Sequence, residues 1–329
     1  MPTGEKLEVV EKVVENPDSI SIKHTIDTNV ELNTHVISPL KYFEARSRFN
    51  DESDRHTTVL LILNQQINIL PDLFAKLWNN ATLKVCADGG LNRLRDYDST
   101  SSAYIPDYVV GDLDSAKKEN IEHYQSLGTK KILQSSQYYT DFMKALSLIN
   151  TFFNFPDIIS DINHLDTVDA LEKLEEERSA ESDTKVKALK IVVLGGVGGR
   201  FDQTMATINQ IWNLSSRRPH LQFVILNPEH TEIIVLLKPG FNFVAYPRFT
   251  PQEETEVFGI ITEKSRPGLR NVGVLPILSD AVITTYGLKW DVENWRTGLT
   301  TKMSSSNLQV GKEGFIIWTN KHLFVDFEL

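Results

Sequence analysis

Thr57-Thr58-Val59-Leu60-Leu61-Ile62-Leu63 decides the fold. This apolar run has no polar alternation, so it predicts a strand with no face toward water, as in a parallel sheet covered by helices on both sides. The same arrangement recurs downstream. Leu73-Phe74 and Leu77-Trp78 have helical spacing, and Leu83 to Ala87 reads as a second strand ending at Asp88. Tyr108-Val109-Val110 ends at Gly111-Asp112, Lys131-Ile132-Leu133 reads as a further strand, and Leu189 to Leu194 ends in a glycine run. Thr140 suits the N-cap of a helix that carries Phe142, Ala145, Leu146 and Ile149. Strands alternating with helices predict an α/β domain with a largely parallel sheet.

After about residue 220 the pattern changes to short strand candidates separated by Asn227-Pro228, Lys238-Pro239-Gly240, Arg266-Pro267-Gly268 and Thr319-Asn320 turns. No helical stretch of useful length intervenes, which predicts an all-β domain, a sandwich or an open barrel, with the sandwich preferred. The expected fold class is therefore α/β plus all-β. Its boundaries fall at 1–36 for an N-terminal tail or accessory segment, 37–219 for the α/β domain and 220–329 for the β-sandwich. Arg46 to His56 reads as a charged linker. A charged stretch at about 157–187 reads as a flexible surface insertion, and its Glu172–Glu177 run as a solvated helix face.

Composition narrows the function classes. The 329 residues are 41% apolar and 24% charged, with a formal charge of -10 spread along the chain rather than gathered in a tail. That balance disfavours nucleic acid as a partner. Cys86 is the single cysteine, so there is neither an intrachain disulfide nor a thiolate zinc cluster. No apolar run reaches the roughly 18 residues that span a bilayer. Met1 to Lys6 leads into charged residues, without the apolar core of a signal peptide. The expectation is a cytoplasmic protein that does not engage a membrane.

Four acidic stations stand beside glycine or at strand ends: Asp88 before Gly89-Gly90, Gly111-Asp112-Leu113-Asp114-Ser115, Thr140-Asp141, and Gly195-Gly196-Val197-Gly198-Gly199-Arg200-Phe201-Asp202. Hard Mg²⁺ takes carboxylate oxygens, and polyphosphate needs both Mg²⁺ and the close backbone approach that glycine allows. Asp112 and Asp114, at i and i+2 of an extended segment, point the same way and can approach one cation. Their ordinary alternative is an Asp-rich turn. Asp88 is equally readable as an N-cap. The glycine run matches neither the dinucleotide nor the Walker spacing, but Arg200 and the helix that starts near Asp202 favour anions. His123, His164, His220, His230 and His322 show no metal-ligand spacing. In the β domain, Trp290 beside a turn and the Ser304-Ser305-Ser306-Asn307 turn suit stacking on an aromatic cation, or else are a half-buried indole and an ordinary turn.

The ordered set Leu61-Ile62-Leu63-Asn64-Gln65, Ala87 to Gly90, Gly111 to Ser115, Thr140-Asp141-Phe142, Leu194 to Gln203, Gly287 to Trp290 and Ser304 to Asn307 resembles eukaryotic thiamine pyrophosphokinases of the fungal kind, over about residues 37–329. The resemblance implies a transferase that moves a pyrophosphoryl group from ATP to the hydroxyl of thiamine, giving thiamine diphosphate and AMP with Mg²⁺ as cofactor. It implies a homodimer whose active sites are shared between subunits. It makes 37–219 the ATP- and Mg-binding catalytic domain and 220–329 the thiamine-binding domain. By residue, it makes Asp112, Asp114 and Asp141 the metal and polyphosphate carboxylates, with Asp88 and Asp202 as further active-site acids. Gln137, Arg200, Trp290, Ser304, Ser306 and Asn307 would contact substrates, with Asp114 or Asp141 a candidate base. The stretch Ser135 to Tyr139 is less polar here than in relatives, which weakens the match at Gln137. The acidic stations alone also fit a kinase or nucleotidyltransferase acting on another small alcohol, or a nucleotide sensor that has lost turnover.

Overall fold

The computed structural model describes residues 10–30, 34–43, 57–100, 102–160, 170–181, 186–227, 232–248 and 269–329. The linker 46–56, His164, His230 and the Arg266-Pro267-Gly268 turn lie outside the described residues. In chain order the first elements are β1 (Lys12–Glu15), α1 (Lys23–Val30) and β2 (His35–Ile37), followed by a 3-10 turn at Pro39–Tyr42. The chain divides into one unit at Tyr42–Glu232 and a second made of Met1–Lys41 with Ile233–Leu329.

In the first unit the opening apolar run becomes β3 (Thr58–Ile62), buried at all five positions. It is followed by α2 (Pro71–Asn80), β4 (Leu83–Ala87), α3 (Gly90–Tyr97), β5 (Tyr108–Gly111), α4 (Lys118–Ser126) and β6 (Lys130–Leu133). Then come α5 (Asp141–Asn154), α6 (Pro156–Ser160), α7 (Ala170–Glu181), β7 (Leu189–Leu194), α8 (Phe201–Arg217) and β8 (Leu221–Asn227). The six strands lie in the order β8-β7-β3-β4-β5-β6 and every pairing is parallel. The chain thus runs outward from β3 to β6, then returns to lay β7 on the other flank of β3. Where the order reverses, the carboxyl ends of β3 and β7 open a crevice of the kind that binds ligands in such sheets.

The second unit holds β9 (Glu232–Leu237), β10 (Gly240–Ala245), β11 (Asn271–Leu275), β12 (Ala281–Tyr286), β13 (Trp290–Glu293), β14 (Trp295–Thr297), β15 (Ser304–Leu308), β16 (Gly314–Thr319) and β17 (Leu323–Glu328). One set of strands runs β15-β11-β17-β9, the other β14-β12-β16-β10-β2. Phe315 of β16 and Phe327 of β17, one from each set, meet edge to face with centroids 5.9 Å apart in the middle of the sandwich.

Three expectations need correction. The boundary at 219/220 is displaced, because β8 pairs in parallel with β7 along six residues and so belongs with the strands of the first unit, which runs to Glu232. A buried apolar strand does not reveal whether its partner is parallel. Of the two readings of 1–36, the tail is overturned and the accessory segment stands: β1 pairs antiparallel with β13, from Lys12 opposite Glu293 to Glu15 opposite Trp290. All four residues of β1 are exposed, so no burial pattern announces it.

The third correction concerns the insertion near 157–187, of which 161–169 and 182–185 lie outside the described residues. Helix α7 packs on α5 with Leu171, Glu172 and Glu175 buried, so the glutamate run is not wholly solvated. Glu175 accepts from Asn150 Nδ2 at 2.6 Å and pairs with Arg218 Nη2 at 2.9 Å. Burial pushes its carboxyl above the usual range, with Arg218, Ser147 and Asn150 pulling the other way. Removing one partner of a buried pair strands the other. Glu175→Ala is therefore expected to cost about 3 kcal/mol in urea unfolding, whereas a loss below about 0.5 kcal/mol would return α7 to the surface-helix class.

Candidate functional site

The acidic stations converge because adjacent parallel strands end side by side. Asp88 follows β4 with φ +42°, its N–H donating to Val110 O at 2.9 Å. Its carboxylate is buried and accepts from Ala116 N at 3.0 Å. Asp112 follows β5, and Asp141 is the first residue of α5, capped by Thr140 Oγ1, which accepts from Met143 N at 3.2 Å. One ligand oxygen from each of Asp88, Asp112 and Asp141 lies within 4.8 Å of the other two. Gly111 makes the convergence possible. It sits at φ +150°, and a Cβ there would stand 2.8 Å from Asp141 Oδ1 and 3.0 Å from Asp88 Cβ.

The surrounding groups fix this triad. Asp112 N donates to Asp141 Oδ1 at 3.3 Å, and Gln137 Nε2 donates to Asp112 Oδ2 at 2.9 Å. Lys144, on α5 and 1% exposed, places Nζ 3.2 Å from Asp141 Oδ1 and 3.8 Å from Asp112 Oδ2. Burial pushes the Asp88 carboxyl up, and the Asp141 charge adds to it. Burial also raises Asp141, against the opposing pull of Lys144. At an effective dielectric near 20, each carboxylate pair repels by about 3 kcal/mol or more, and Lys144 attracts each of its two neighbours by a similar amount. One monovalent cation leaves Asp88 uncompensated. A divalent ion with oxygen preference matches what remains, so the donor set fits Mg²⁺.

Two expected members stand apart. Leu113 takes φ +60°, which breaks the extended geometry behind the i, i+2 expectation for Asp112 and Asp114. Asp114 is exposed, accepts from Ser115 Oγ at 3.0 Å, and is outside the set of three. Arg200 and Asp202 face each other at the start of α8, Nε to Oδ1 at 3.1 Å and Nη2 to Oδ2 at 2.6 Å, both well exposed. That contact holds the Asp202 carboxyl below the usual range. The preceding loop has Gly195, Gly196, Gly198 and Gly199 all at positive φ, a backbone that residues with a Cβ rarely adopt. Gly195 and Gly196 come against Gln65 and Leu63 at the end of β3, in the crevice where the strand order reverses.

In the second unit Trp290, Ser304 and Asn307 form one cluster. Trp290 N donates to Asn307 Oδ1 at 3.1 Å, and Asn307 Nδ2 donates to Trp290 O at 2.9 Å and to Ser304 Oγ at 3.4 Å. Asn307 is buried, so its amide holds the backbone, while Trp290 is 40% exposed and Ser306 is exposed. Lys144 and Gln65 went unassigned in the sequence. A lysine among apolar helix residues is the one signal for the former, three residues after Asp141.

Comparison with known proteins agrees with both units. Residues 74–224 match the family model for the thiamin pyrophosphokinase catalytic domain, and 260–324 that for the thiamin pyrophosphokinase vitamin B1 binding domain. The thiamine pyrophosphokinase of Saccharomyces cerevisiae is 33% identical over 97% of both chains. Thiamine pyrophosphokinase 1 of rice, Oryza sativa, is 30% identical over 79% of this chain and 85% of its own. The solved thiamin pyrophosphokinase of Candida albicans superposes with a TM-score of 0.81 at 33% identity, covering 98% of this chain and 99% of that one. The yeast enzyme's crystal structure gives 0.80 at 31% identity, over 96% of each. This chain belongs to the thiamine pyrophosphokinase family.

Proposed function

We propose that the chain is an ATP:thiamine diphosphotransferase whose polyphosphate anchor is the Asp88–Asp112–Asp141 triad. The observation behind this reading is the convergence of those three carboxylates from the ends of β4 and β5 and the start of α5, in a chain 33% identical to the yeast enzyme. The thiamine hydroxyl attacks the β-phosphorus of ATP, the bond to the α-phosphate oxygen breaks, and AMP leaves. Asp112, Asp141 and Asp88 are the metal carboxylates, and Asp114 adds negative charge from the loop surface. Mg²⁺ bound there supplies charge neutralisation and alignment of the polyphosphate. Gln137 Nε2 fixes Asp112 through Oδ2, and Asp114 N donates to its Oδ1 at 3.3 Å, so the carboxylate is oriented from both sides. Arg200, exposed and tethered by Asp202, swings to the phosphoryl oxygens as their charge grows. Loose phosphoryl-transfer transition states ask little of a base, so positioning outweighs proton abstraction by Asp114 or Asp141.

The aromatic, cationic acceptor is assigned to Trp290, with Ser304 and Ser306 as hydroxyl contacts and Asn307 as their support. A homodimer with active sites shared between subunits, as the family resemblance implies, is part of this reading. No helix among the described residues is long and apolar enough to cross a membrane. A buried lone thiol at Cys86 is in keeping with a cytoplasmic setting.

With Mg-ATP and thiamine the expected products are thiamine diphosphate and AMP, and ADP or thiamine-independent turnover would overturn the assignment. Asp112→Asn is expected to lower kcat at least about 100-fold without lowering the melting temperature of the metal-free chain. Mixing Asp112→Ala and Trp290→Ala chains is expected to restore activity through hybrid dimers, and a mixture as inactive as its parents would contradict shared sites. The raised Asp88 and Asp141 carboxyls favour the fold while protonated, and that contribution is lost as pH rises through their raised values. A metal ion replaces it. Thermal stabilisation by Mg²⁺ is therefore expected to be larger at about pH 7.5 than at about pH 5, and equal shifts would contradict metal binding at the triad.

A further inference from the structure

The N-terminal segment does more than cover the sandwich, since its polar groups concentrate on one turn. That turn, Gly287 to Lys289, leads directly into Trp290. Asn16 engages it with three groups. Its N–H donates to Lys289 O at 2.8 Å, and its Nδ2 donates to Leu288 O at 2.8 Å and to Asp291 Oδ2 at 2.6 Å. Its carbonyl accepts from Lys289 Nζ at 2.6 Å, and the same ammonium lies 3.0 Å from Asp18 Oδ1 and 3.4 Å from Glu15 Oε1.

Asp291 completes the turn from inside. Its Oδ1 accepts from Thr285 Oγ1 at 2.8 Å and Leu288 N at 3.1 Å, and its Oδ2 accepts from Gly287 N at 3.0 Å. The segment is anchored on both sides of Asn16. Upstream, Glu11 accepts from Arg296 N at 3.0 Å. Downstream, Ile20 exchanges backbone hydrogen bonds with Val310 and Lys312, and Glu313 accepts from Ile22 N at 2.9 Å. Trp290 is consequently held from two directions: Asn307 bonds its own backbone, and Asn16 bonds the turn before it.

We propose that residues 11–22 form a clasp, centred on Asn16, that positions Trp290 for the acceptor, making Asn16 and Asp291 positioning residues for thiamine. An exposed indole on a free turn would have to be ordered each time the acceptor binds, and a pre-set turn removes that cost. The inference deepens the reading of Trp290 as the acceptor contact and rests on it. It requires an effect on the acceptor and not on the nucleotide.

The test is steady-state kinetics on the full chain, measuring AMP release, for wild type, Asn16→Ala, Asn16→Asp and Trp290→Ala. Asn16→Ala is expected to raise the KM for thiamine about tenfold, through the loss of the two part-buried Nδ2 hydrogen bonds. The KM for ATP and kcat are expected to stay within about twofold. Asn16→Asp is expected to raise the thiamine KM further, because it sets a carboxylate against that of Asp291. If Asn16→Ala does not fold, Asn16→Ser, whose hydroxyl adds a polar group to the backbone bonds that both variants keep, gives the same readout. An unchanged thiamine KM in the Asn16 variants beside a raised one in Trp290→Ala overturns the inference alone. Equal increases for thiamine and ATP also overturn it, since general loosening would act on both. An unchanged thiamine KM in Trp290→Ala overturns the parent reading, and the inference falls with it.

Discussion

Everything in the first unit depends on bringing three carboxylates together where water cannot fully screen them. Asp88, Asp112 and Asp141 repel one another, and two of them are raised further by burial. The fold tolerates this because the cluster is bound in place at several points. Ala116 N holds Asp88, Gln137 holds Asp112, and Lys144 stands beneath Asp112 and Asp141. Such an arrangement is destabilising by itself and becomes favourable when a divalent ion arrives. The absence of a side chain at Gly111 is the steric condition for it.

The parallel sheet supplies the geometry at little extra cost. Strands β4 and β5 are neighbours in register, so residues just beyond their ends are neighbours too. The helix after β6 starts at the same edge and brings Asp141 with it. On the other side of β4, the crevice between β3 and β7 receives the glycine loop, whose positive φ values keep its backbone open to an anion. The acidic triad and the glycine loop thus come from one edge of one sheet, although their residues span more than a hundred positions.

How much of this was legible follows from the range of each interaction. Thr57–Leu63 announced its strand because burial on both faces leaves no polar residue to interrupt the run. Asp88, Asp112 and Asp141 were legible as strand-end acids, but the positive φ at Leu113, which separates Asp114 from them, leaves no mark in a leucine. Lys144 was not assigned, since a lysine in a helix ordinarily reaches for water and its burial depends on tertiary contacts. Strand β1 was invisible for the opposite reason: its residues are exposed, and its partner lies about 275 positions away. The burial of Glu175 against Asn150 and Arg218 likewise joins segments far apart in sequence. Short-range patterns thus described the sheet and its acids, whereas the clasp on Trp290 and the support of α7 required coordinates.

The central claim is that the triad is where a divalent ion meets the polyphosphate. Crystals grown with Mn²⁺ and a non-hydrolysable ATP analogue test it directly through the anomalous signal of the metal. The account predicts a peak coordinated by oxygens of Asp112 and Asp141, with Asp88 completing the set and the ligand distances at about 2.1–2.2 Å. An anomalous peak elsewhere on the chain, with the three carboxylates bare while the nucleotide is bound, would contradict it.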